Sequence, residues 1–169
     1  MPSTIRPIRI EGNLAFITLT KGYTAIIDAA DVHLAEGRNW CAAVQRYTVY
    51  AQTNESTGGE SHGIFLHRVL MAPPDDMQVD HRSGDGLDCR RANMRWATRA
   101  QNNHNQRISR NNTSGFKGVS WDDDRQKWMA GIVVGGKRIH LGRFVTPEAA
   151  HAAYCEASEI YHGEFGRVA

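Results

Sequence analysis

Residues 77–106 read MQVDHRSGDGLDCRRANMRWATRAQNNHNQ, and this stretch decides the fold of the middle of the chain. Residues 77–81 predict a short strand, and the turn-forming Ser-Gly-Asp-Gly run at 83–86 reverses the chain after it. Residues 94–97 predict a second short strand, in which Trp96 is expected to lie in the core. The pattern therefore indicates two short strands joined by a glycine-rich loop.

A helix is expected directly after the second strand. Thr98 and Gln101 have the spacing of a capping box, in which the two side chains satisfy main-chain N–H groups at a helix start. The helix then begins at Arg99 and carries Asn102. The segment has the order strand, loop, strand, helix.

Asp80 and His81 are adjacent at the end of the first predicted strand. Successive side chains of a strand point to opposite faces, so one residue can bind a metal while the other faces a water molecule. A hard divalent cation prefers carboxylate and amide oxygens, which Asp80 and Asn102 supply if the helix packs back on the strand. An imidazole has an ordinary pKa of about 6.5, so His81 can deprotonate water near neutral pH without zinc.

Several spaced motifs in residues 62–106 together resemble the HNH endonucleases of phages and mobile introns, whose catalytic core is a ββα-metal motif. The motifs are LHRVLM, VDH, the glycine-rich loop, Asn93-Met94-Arg95-Trp96 and Gln101-Asn102-Asn103. The resemblance implies that Asp80 is a metal ligand and His81 the general base. It further implies that Asn93 orients the loop and His81, and that Asn102 is the second metal ligand.

The archetype of this family has histidine where this chain has Asn102, so His104 is the alternative second ligand. The resemblance implies one divalent metal ion, Mg2+ with Mn2+ as the alternative, and no structural zinc. His67 is expected to be a packed support and not a ligand. A zinc-binding module is a weaker alternative, which the absence of cysteine pairs opposes.

Basic side chains are concentrated in the second half of the chain. Residues 1–88 carry seven Lys or Arg and eleven Asp or Glu, whereas residues 89–169 carry thirteen and seven. Between residues 89 and 121 there are seven Lys or Arg and no carboxylate. Such a stripe suits a phosphate backbone, so double-stranded DNA is the expected partner and a solvated basic surface the alternative. The expected DNA contacts in this stretch are Arg95, Arg99, Arg107 and Arg110.

The last part of the chain predicts a sheet with one helix across its back. The polar, basic and turn-rich residues 107–115 are expected to form a linker. Thr146 is a suitable N-cap for a helix with Pro147 at its first position, and Gly163 is a stop signal. The three predicted strands are residues 116–121, 127–134 and 137–141.

Residues 113–165 resemble the plant ethylene-response-factor DNA-binding domain of the APETALA type, a domain also found appended to phage HNH nucleases. The motifs are FKGVSW, KWMAGI, RIHLGRF, TPEAA and AAY. The resemblance implies that the sheet, and not the helix, lies in the major groove. The residues that it places at or near DNA are Lys117, Trp121, Arg125, Lys127, Arg138 and His140. Ser120, Val133 and the turn 122–124 replace positions that are often basic in plant members.

The N-terminal part predicts a small sheet. A short helix is expected to begin near Asp31, and Pro73-Pro74 closes the region. Residues 40–51 and 63–71 are apolar and aromatic-rich and are expected to extend the sheet. The β-rich stretches that predict strands before them are residues 5–10, 14–20 and 23–28.

Length and composition exclude several classes of protein. The chain has 169 residues, of which 41% are hydrophobic and 22% charged, so it is too short for a large multidomain enzyme and too apolar for general disorder. No apolar run approaches the ~18 residues needed to cross a bilayer, and the first residues lack the apolar core of a secretory signal. We expect a cytoplasmic protein of a bacterial or phage-infected cell, with no membrane association, that is a monomer or weak dimer.

The sequence as a whole predicts an α+β protein. Residues 1–106 form an N-terminal sheet leading into the HNH nuclease motif, with its core at about 62–106; the linker 107–115 and the DNA-binding domain 116–169 follow. The expected function is a metal-dependent DNA endonuclease, homing-type or phage, that leaves 5′ phosphate and 3′ hydroxyl ends. The alternative is a non-catalytic sequence-specific DNA-binding regulator, which would not need Asp80, His81 and Asn102.

Overall fold

The computed structural model of the chain describes residues 5–168. The fold is α+β, with small antiparallel sheets and a C-terminal three-stranded sheet packed against a helix, as the sequence predicts. The residues group into two compact units, Met1–Thr98 and Arg99–Ala169. The domain boundaries given above, with a linker at 107–115, stay predictions.

The first unit begins with a meander in which each strand pairs with the next. Alternation buries Ala15 and Ile17 from the middle strand and Ala25 and Ile27 from the third strand. The elements are β1 (Ile8–Glu11), β2 (Leu14–Thr18), β3 (Thr24–Asp28) and the short helix α1 (Val32–Ala35).

A second antiparallel sheet follows, formed by β4 (Cys41–Val44), β5 (Val49–Thr57) and β6 (Glu60–Phe65). The expectation that residues 63–71 extend this sheet is wrong for their second part, which forms helix α2 (Leu66–Met71). Leu66 and Leu70 lie one helical turn apart and are both buried, so a helix places the two side chains in the same core. The helix ends at Ala72, which has a left-handed conformation before the two prolines.

The two strands predicted from the central motif are present. β7 (Gln78–His81) pairs with β8 (Met94–Ala97) in antiparallel register, with Asp80 opposite Arg95. Trp96 is not in the core: its side chain is among the exposed hydrophobic residues, at 47%, and its indole N–H donates to the Met71 carbonyl at 2.9 Å. Trp96 shares its face of β8 with the buried Met94, so strand alternation alone does not account for its exposure.

The second unit begins with helix α3 (Arg99–His104), which starts where the capping-box spacing predicts. Its sheet has the order β11-β10-β9, and helix α4 packs across one face. Thr146 caps α4 as predicted, because its hydroxyl accepts from the Ala149 N–H at 3.2 Å. The elements are β9 (Val119–Asp122), β10 (Lys127–Val134), β11 (Lys137–Phe144) and α4 (Pro147–His162).

Buried side chains of α4 and the sheet form the core of this unit. Ala150, Tyr154 and Ala157 of the helix face Ala130 and Ile132 of β10. Small alanines allow the helix to approach the sheet closely, and the Tyr154 ring fills the space that remains. Of the helices among residues 5–168, none is long and apolar enough to cross a membrane.

Gly118 is expected to be essential for the stability of this unit. Its φ is +75°, and a Cβ built on it would overlap the Tyr154 ring. Gly115 has nearly the same φ, +76°, but nothing lies within 4 Å of its Cβ position, so Gly115→Ala is the matched control. We expect Gly115→Ala to cost about 1 kcal/mol for the backbone conformation alone. Gly118→Ala should cost about 2 to 4 kcal/mol because steric overlap is added.

The measurement is urea unfolding of both variants and the wild type, monitored by tryptophan fluorescence. Equal losses of stability in the two variants would show that the contact with Tyr154 is not a packing constraint.

Candidate functional site

The loop of residues 82–93 connects β7 and β8 and is fixed to the N-terminal sheet. The Ile26 N–H donates to the Leu87 carbonyl at 2.9 Å, and the Cys89 N–H donates to the Ile26 carbonyl at 2.8 Å. The loop therefore adds a short parallel bridge to β3. A second contact is charged, because the Arg91 guanidinium binds both oxygens of the buried Asp31 carboxylate at 2.8 Å.

Asn93 connects the two ends of this loop. Its side-chain oxygen accepts from the Ser83 N–H at 3.0 Å, and its side-chain nitrogen donates to the Asp88 carbonyl at 2.7 Å. Its main-chain carbonyl also accepts from the Arg82 N–H at 2.8 Å. These bonds give a physical basis for the expectation that Asn93 orients the loop, while its part in catalysis stays a prediction.

Gly86 is placed where only glycine fits. A Cβ at this position would lie 2.6 Å from the Tyr50 ring and from the Val49 carbonyl oxygen. The Gly86 N–H donates to the Thr48 hydroxyl at 3.0 Å. The loop thus lies directly against β5 and the turn before it, which brings Tyr50 next to His81.

His81 is buried at the end of β7, with 5% of its surface exposed. The ring centroids of His67 and Tyr50 lie 5.2 and 5.8 Å from its own. Burial lowers the pKa of His81, and the nearby Asp80, Asp85 and Asp88 carboxylates oppose that shift. The imidazole is consequently neutral at pH 7, the form that a general base requires.

Cys89 is a polar neighbour of the His81 ring. Burial raises the pKa of the Cys89 thiol to about 12, so the thiol keeps its proton and donates it to the Gly86 carbonyl, with sulfur and oxygen 3.6 Å apart. The sulfur lies 3.8 Å from His81 Nε2. The thiol thus packs against the Nε2 side of the ring.

His67 is buried as a packed support, as expected from the sequence. Its ring stacks on Phe65 with centroids 5.3 Å apart, and its Nδ1 is buried with no hydrogen-bond partner. Burial lowers the pKa of His67 to about 3, with the neighbouring His81 and Arg68 adding to the shift. The ring therefore stays neutral beside His81.

Asp80 is 3% exposed and lies in an ion pair with Arg95, which is 8% exposed. Arg95 Nε and Nη2 lie 2.8 and 2.7 Å from Asp80 Oδ2. A buried carboxylate needs a charged partner to stay ionised, and Arg95 supplies one. An ionised carboxylate is a hard oxygen donor, which suits Mg2+ or Mn2+.

The second predicted ligand, Asn102, lies on α3 in the other compact unit, as does its alternative, His104. An amide oxygen from Asn102 has the donor chemistry that a hard cation prefers. Over the described residues there is no group of three or more His, Cys, Asp or Glu that could bind a metal. A predicted ligand pair of one carboxylate and one amide is compatible with that finding, and the pairing of Asp80 with Asn102 stays a prediction.

Three of the predicted DNA contacts, Lys127, Arg138 and His140, lie on one face of the C-terminal sheet. Their strand partners and the alternation of side chains place them on the face away from α4, which we call the open face. The Arg138 guanidinium lies across Gly131, whose Cβ position is 3.0 Å from Arg138 Nε. A side chain at Gly131 would displace it.

Arg143 also lies on the open face, although the sequence analysis did not select it. It contacts His140 Nε2 at 3.2 Å and the Asp122 carboxylate at 2.7 Å. The regular alternation along β11 is interrupted by a bulge opposite Ala130 and Gly131, so counting in twos from Arg138 misses Arg143. The isolated Gly142 within the strand pattern is the sequence signal that could have found it, since such a glycine suggests a bulge; its φ is 139°.

The remaining predicted DNA contacts are distributed over several environments. Trp121 is 39% exposed and lies opposite Trp128, on the face of the sheet that carries α4. Arg95 binds Asp80, and Lys117 is half-buried with its ammonium on main-chain carbonyls. Four predicted DNA contacts have exposed side chains and lie outside the strands, namely Arg99, Arg107, Arg110 and Arg125. The DNA contacts of all these residues stay predictions.

Two family models match the chain, one over the central motif and one over the C-terminal domain. A family model described as HNH endonuclease matches residues 72–104, and a model described as AP2 domain matches residues 114–164. Protein 3.8 of Escherichia phage T7 is 31% identical over 94 residues, which is 56% of this chain and 77% of that protein. No solved structure matches. The chain belongs to the HNH endonuclease family, and an AP2 domain follows its HNH domain.

Proposed function

We propose that the protein is a metal-dependent endonuclease that hydrolyses phosphodiester bonds of double-stranded DNA. The observation that carries the proposal is the neutral, buried His81 beside the ionised Asp80 at the end of β7, inside the HNH match. A base and a hard oxygen ligand on adjacent residues are the two groups that this hydrolysis needs.

His81 accepts a proton from water, and the resulting hydroxide attacks the phosphorus in line with the bond to the 3′ oxygen. The products carry a 5′ phosphate and a 3′ hydroxyl. Cys89 packs against the Nε2 side of the His81 ring. Asn93 keeps the loop closed around the ring, which fixes the position of the base during the reaction.

Asp80 and Asn102 are the residues that would bind the divalent ion, Mg2+ with Mn2+ as the alternative. When bound, the ion supplies positive charge at the phosphate, where negative charge increases during hydrolysis. Arg95 is the cation paired with the Asp80 carboxylate.

The AP2 domain supplies DNA affinity and site preference. A small catalytic site contacts too little DNA to specify a long target, whereas cations on a sheet face can bind both phosphates and base edges. Similarity to a phage protein supports a phage origin. We further propose a phage or homing-type nuclease that acts in the cytoplasm of the host cell. One chain carries both activities, so we expect a monomer or weak dimer.

The first test concerns the base. His81→Ala should lower the rate of plasmid cleavage in Mg2+ about 100-fold to 10,000-fold while leaving DNA affinity nearly unchanged. His62→Ala, which removes an exposed imidazole of β6, is the matched control and should cleave like the wild type. Wild-type cleavage by His81→Ala would remove His81 from the mechanism. DNA binding without Mg2+-dependent cleavage by the wild type would support the non-catalytic regulator instead.

The second test concerns the metal ligands. Asp80→Asn removes the negative charge of one ligand, and Asn102→Ala removes the other oxygen ligand. Each should raise the Mg2+ concentration for half-maximal cleavage about tenfold or more. Asn103→Ala, on the exposed side of the same helix, is the control and should leave that concentration unchanged. A raised Mg2+ requirement in His104→Ala but not in Asn102→Ala would assign the second ligand to His104.

The third test concerns the open face. Arg138→Ala should reduce the preference for the target over a scrambled site by about 1 to 3 kcal/mol if its guanidinium binds a guanine. Lys137→Ala removes a cation that lies off the open face and should leave the preference intact. Competition gel shifts with the target and the scrambled DNA measure this preference. An even loss of affinity for both sites would make Arg138 a phosphate contact.

A further inference from the structure

Helix α3 ends at a contact with the AP2 domain that the proposed mechanism does not use. Lys117 Nζ donates to the carbonyls of His104 and Gln106 at 2.6 and 2.7 Å. His104 is the last residue of the helix, so its carbonyl has no partner within the helix. An ammonium at this end also interacts favourably with the helix dipole.

A second residue contacts the same helix end from another direction. The rings of His104 and His162 stack with centroids 3.6 Å apart and planes inclined by 14°. His162 is at the end of α4, and its Nε2 donates to the Val133 carbonyl of β10 at 2.9 Å. The ring that α3 contacts is thereby fixed to the sheet.

Lys117 itself is rigidly placed. Its main-chain carbonyl lies 3.3 Å from His151 Nδ1, on the first half of α4. The next residue, Gly118, lies so close to the Tyr154 ring that no larger residue fits. Burial lowers the pKa of Lys117 to about 8, with Arg167 adding to the shift, so its ammonium is partly removed from water. Hydrogen bonds from such an ammonium to carbonyls are stronger than on the surface.

We propose that Lys117 and His162 are positioning residues of the nuclease, which fix the helix that carries Asn102 to the AP2 domain. We call this pair the α3 clamp. The inference rests on the proposed function, because it assigns the clamp a purpose through Asn102. It makes the AP2 domain a part of the catalytic apparatus in addition to its role in DNA binding, and it gives Lys117 a role other than a DNA contact.

The test compares Lys117→Met with Lys137→Met in the full chain. Both variants remove one ammonium and keep the aliphatic stem, but Lys137 lies in the β10–β11 hairpin and is exposed. The first readout is amide hydrogen exchange of the metal-free protein without DNA. We expect Lys117→Met to speed exchange in residues 99–106 about tenfold or more, since it removes two charged hydrogen bonds, and Lys137→Met to leave it unchanged.

The second readout is cleavage at saturating DNA and Mg2+, where losses of affinity do not contribute. Lys117→Met should lower kcat about 10-fold to 100-fold, because small displacements of catalytic groups have effects of this size. A change in KM alone would assign Lys117 to DNA binding and overturn the proposal. Faster exchange with an unchanged kcat would also overturn it, because the clamp would then have no effect on catalysis.

A second variant covers the case in which Lys117→Met unfolds the domain, which rapid exchange across β9–β11 would reveal. His162→Ala removes the stacked ring on the other side of α3 and should produce the same pair of changes. The proposal would be overturned if His162→Ala exchanged residues 99–106 as slowly as the wild type and kept the wild-type kcat. If the wild-type protein cleaves no DNA, the proposed function fails, and the exchange data still decide whether the clamp exists.

Discussion

The loop between β7 and β8 has no regular structure, so its main-chain polar groups need hydrogen-bond partners outside the loop. The elements of the first unit are placed where they supply those partners. A buried N–H or C=O that lacks a partner costs about 1 to 3 kcal/mol, so a turn-rich loop next to a buried histidine needs many external partners. β3 supplies two through Ile26, and Thr48 supplies one to Gly86. Asn93 supplies two more from within the loop. The N-terminal sheet therefore has a direct function, because it fixes the loop that determines the position of His81.

The same loop sets the electrostatics of the site. Asp80 and His81 are both buried, yet they need opposite protonation behaviour: the first must stay charged and the second neutral. Arg95 stabilises the Asp80 carboxylate from the neighbouring strand, where register places it directly opposite. For His81, burial outweighs the surrounding carboxylates in the direction of its pKa. Strand pairing thus places a cation beside Asp80, while strand alternation points the adjacent His81 to the opposite face.

Local sequence signals predicted most of the fold, and tertiary contacts account for the errors. The Thr98 capping-box spacing, the Gly-Gly hairpin and the Thr146 cap each correspond to an element that forms as expected. Helix α2 was missed because its six residues carry only one turn of apolar periodicity, which cannot be distinguished from a buried strand without the core that receives it. Trp96 was misplaced because its residue type favours burial, whereas the fold leaves its ring exposed with the indole N–H on the Met71 carbonyl.

The candidate site likewise contains residues that the sequence indicates and residues that only tertiary contacts bring together. Its chemistry-bearing residues were selected from their types and spacing, and their roles stay predictions, whereas the groups that support them come from distant parts of the chain. Tyr50, His67 and Cys89 surround His81, but no spacing rule connects them to it.

Lys117 illustrates the limit of reasoning from charge. A lysine in a basic stripe that precedes a DNA-binding sheet is expected to contact DNA, because both its charge and the resemblance of residues 113–165 place it there. The fold turns its ammonium toward the main-chain carbonyls of His104, the last residue of helix α3, and of Gln106, two residues beyond it, while a DNA contact of Lys117 stays a prediction. On the open face, by contrast, Asp122 pairs with Arg143 and leaves the basic character of that face to Lys127, Arg138 and His140. The number of cations in a segment is therefore a poor measure of its DNA contacts, and their assignment requires knowing which main-chain and carboxylate acceptors the fold already presents to them.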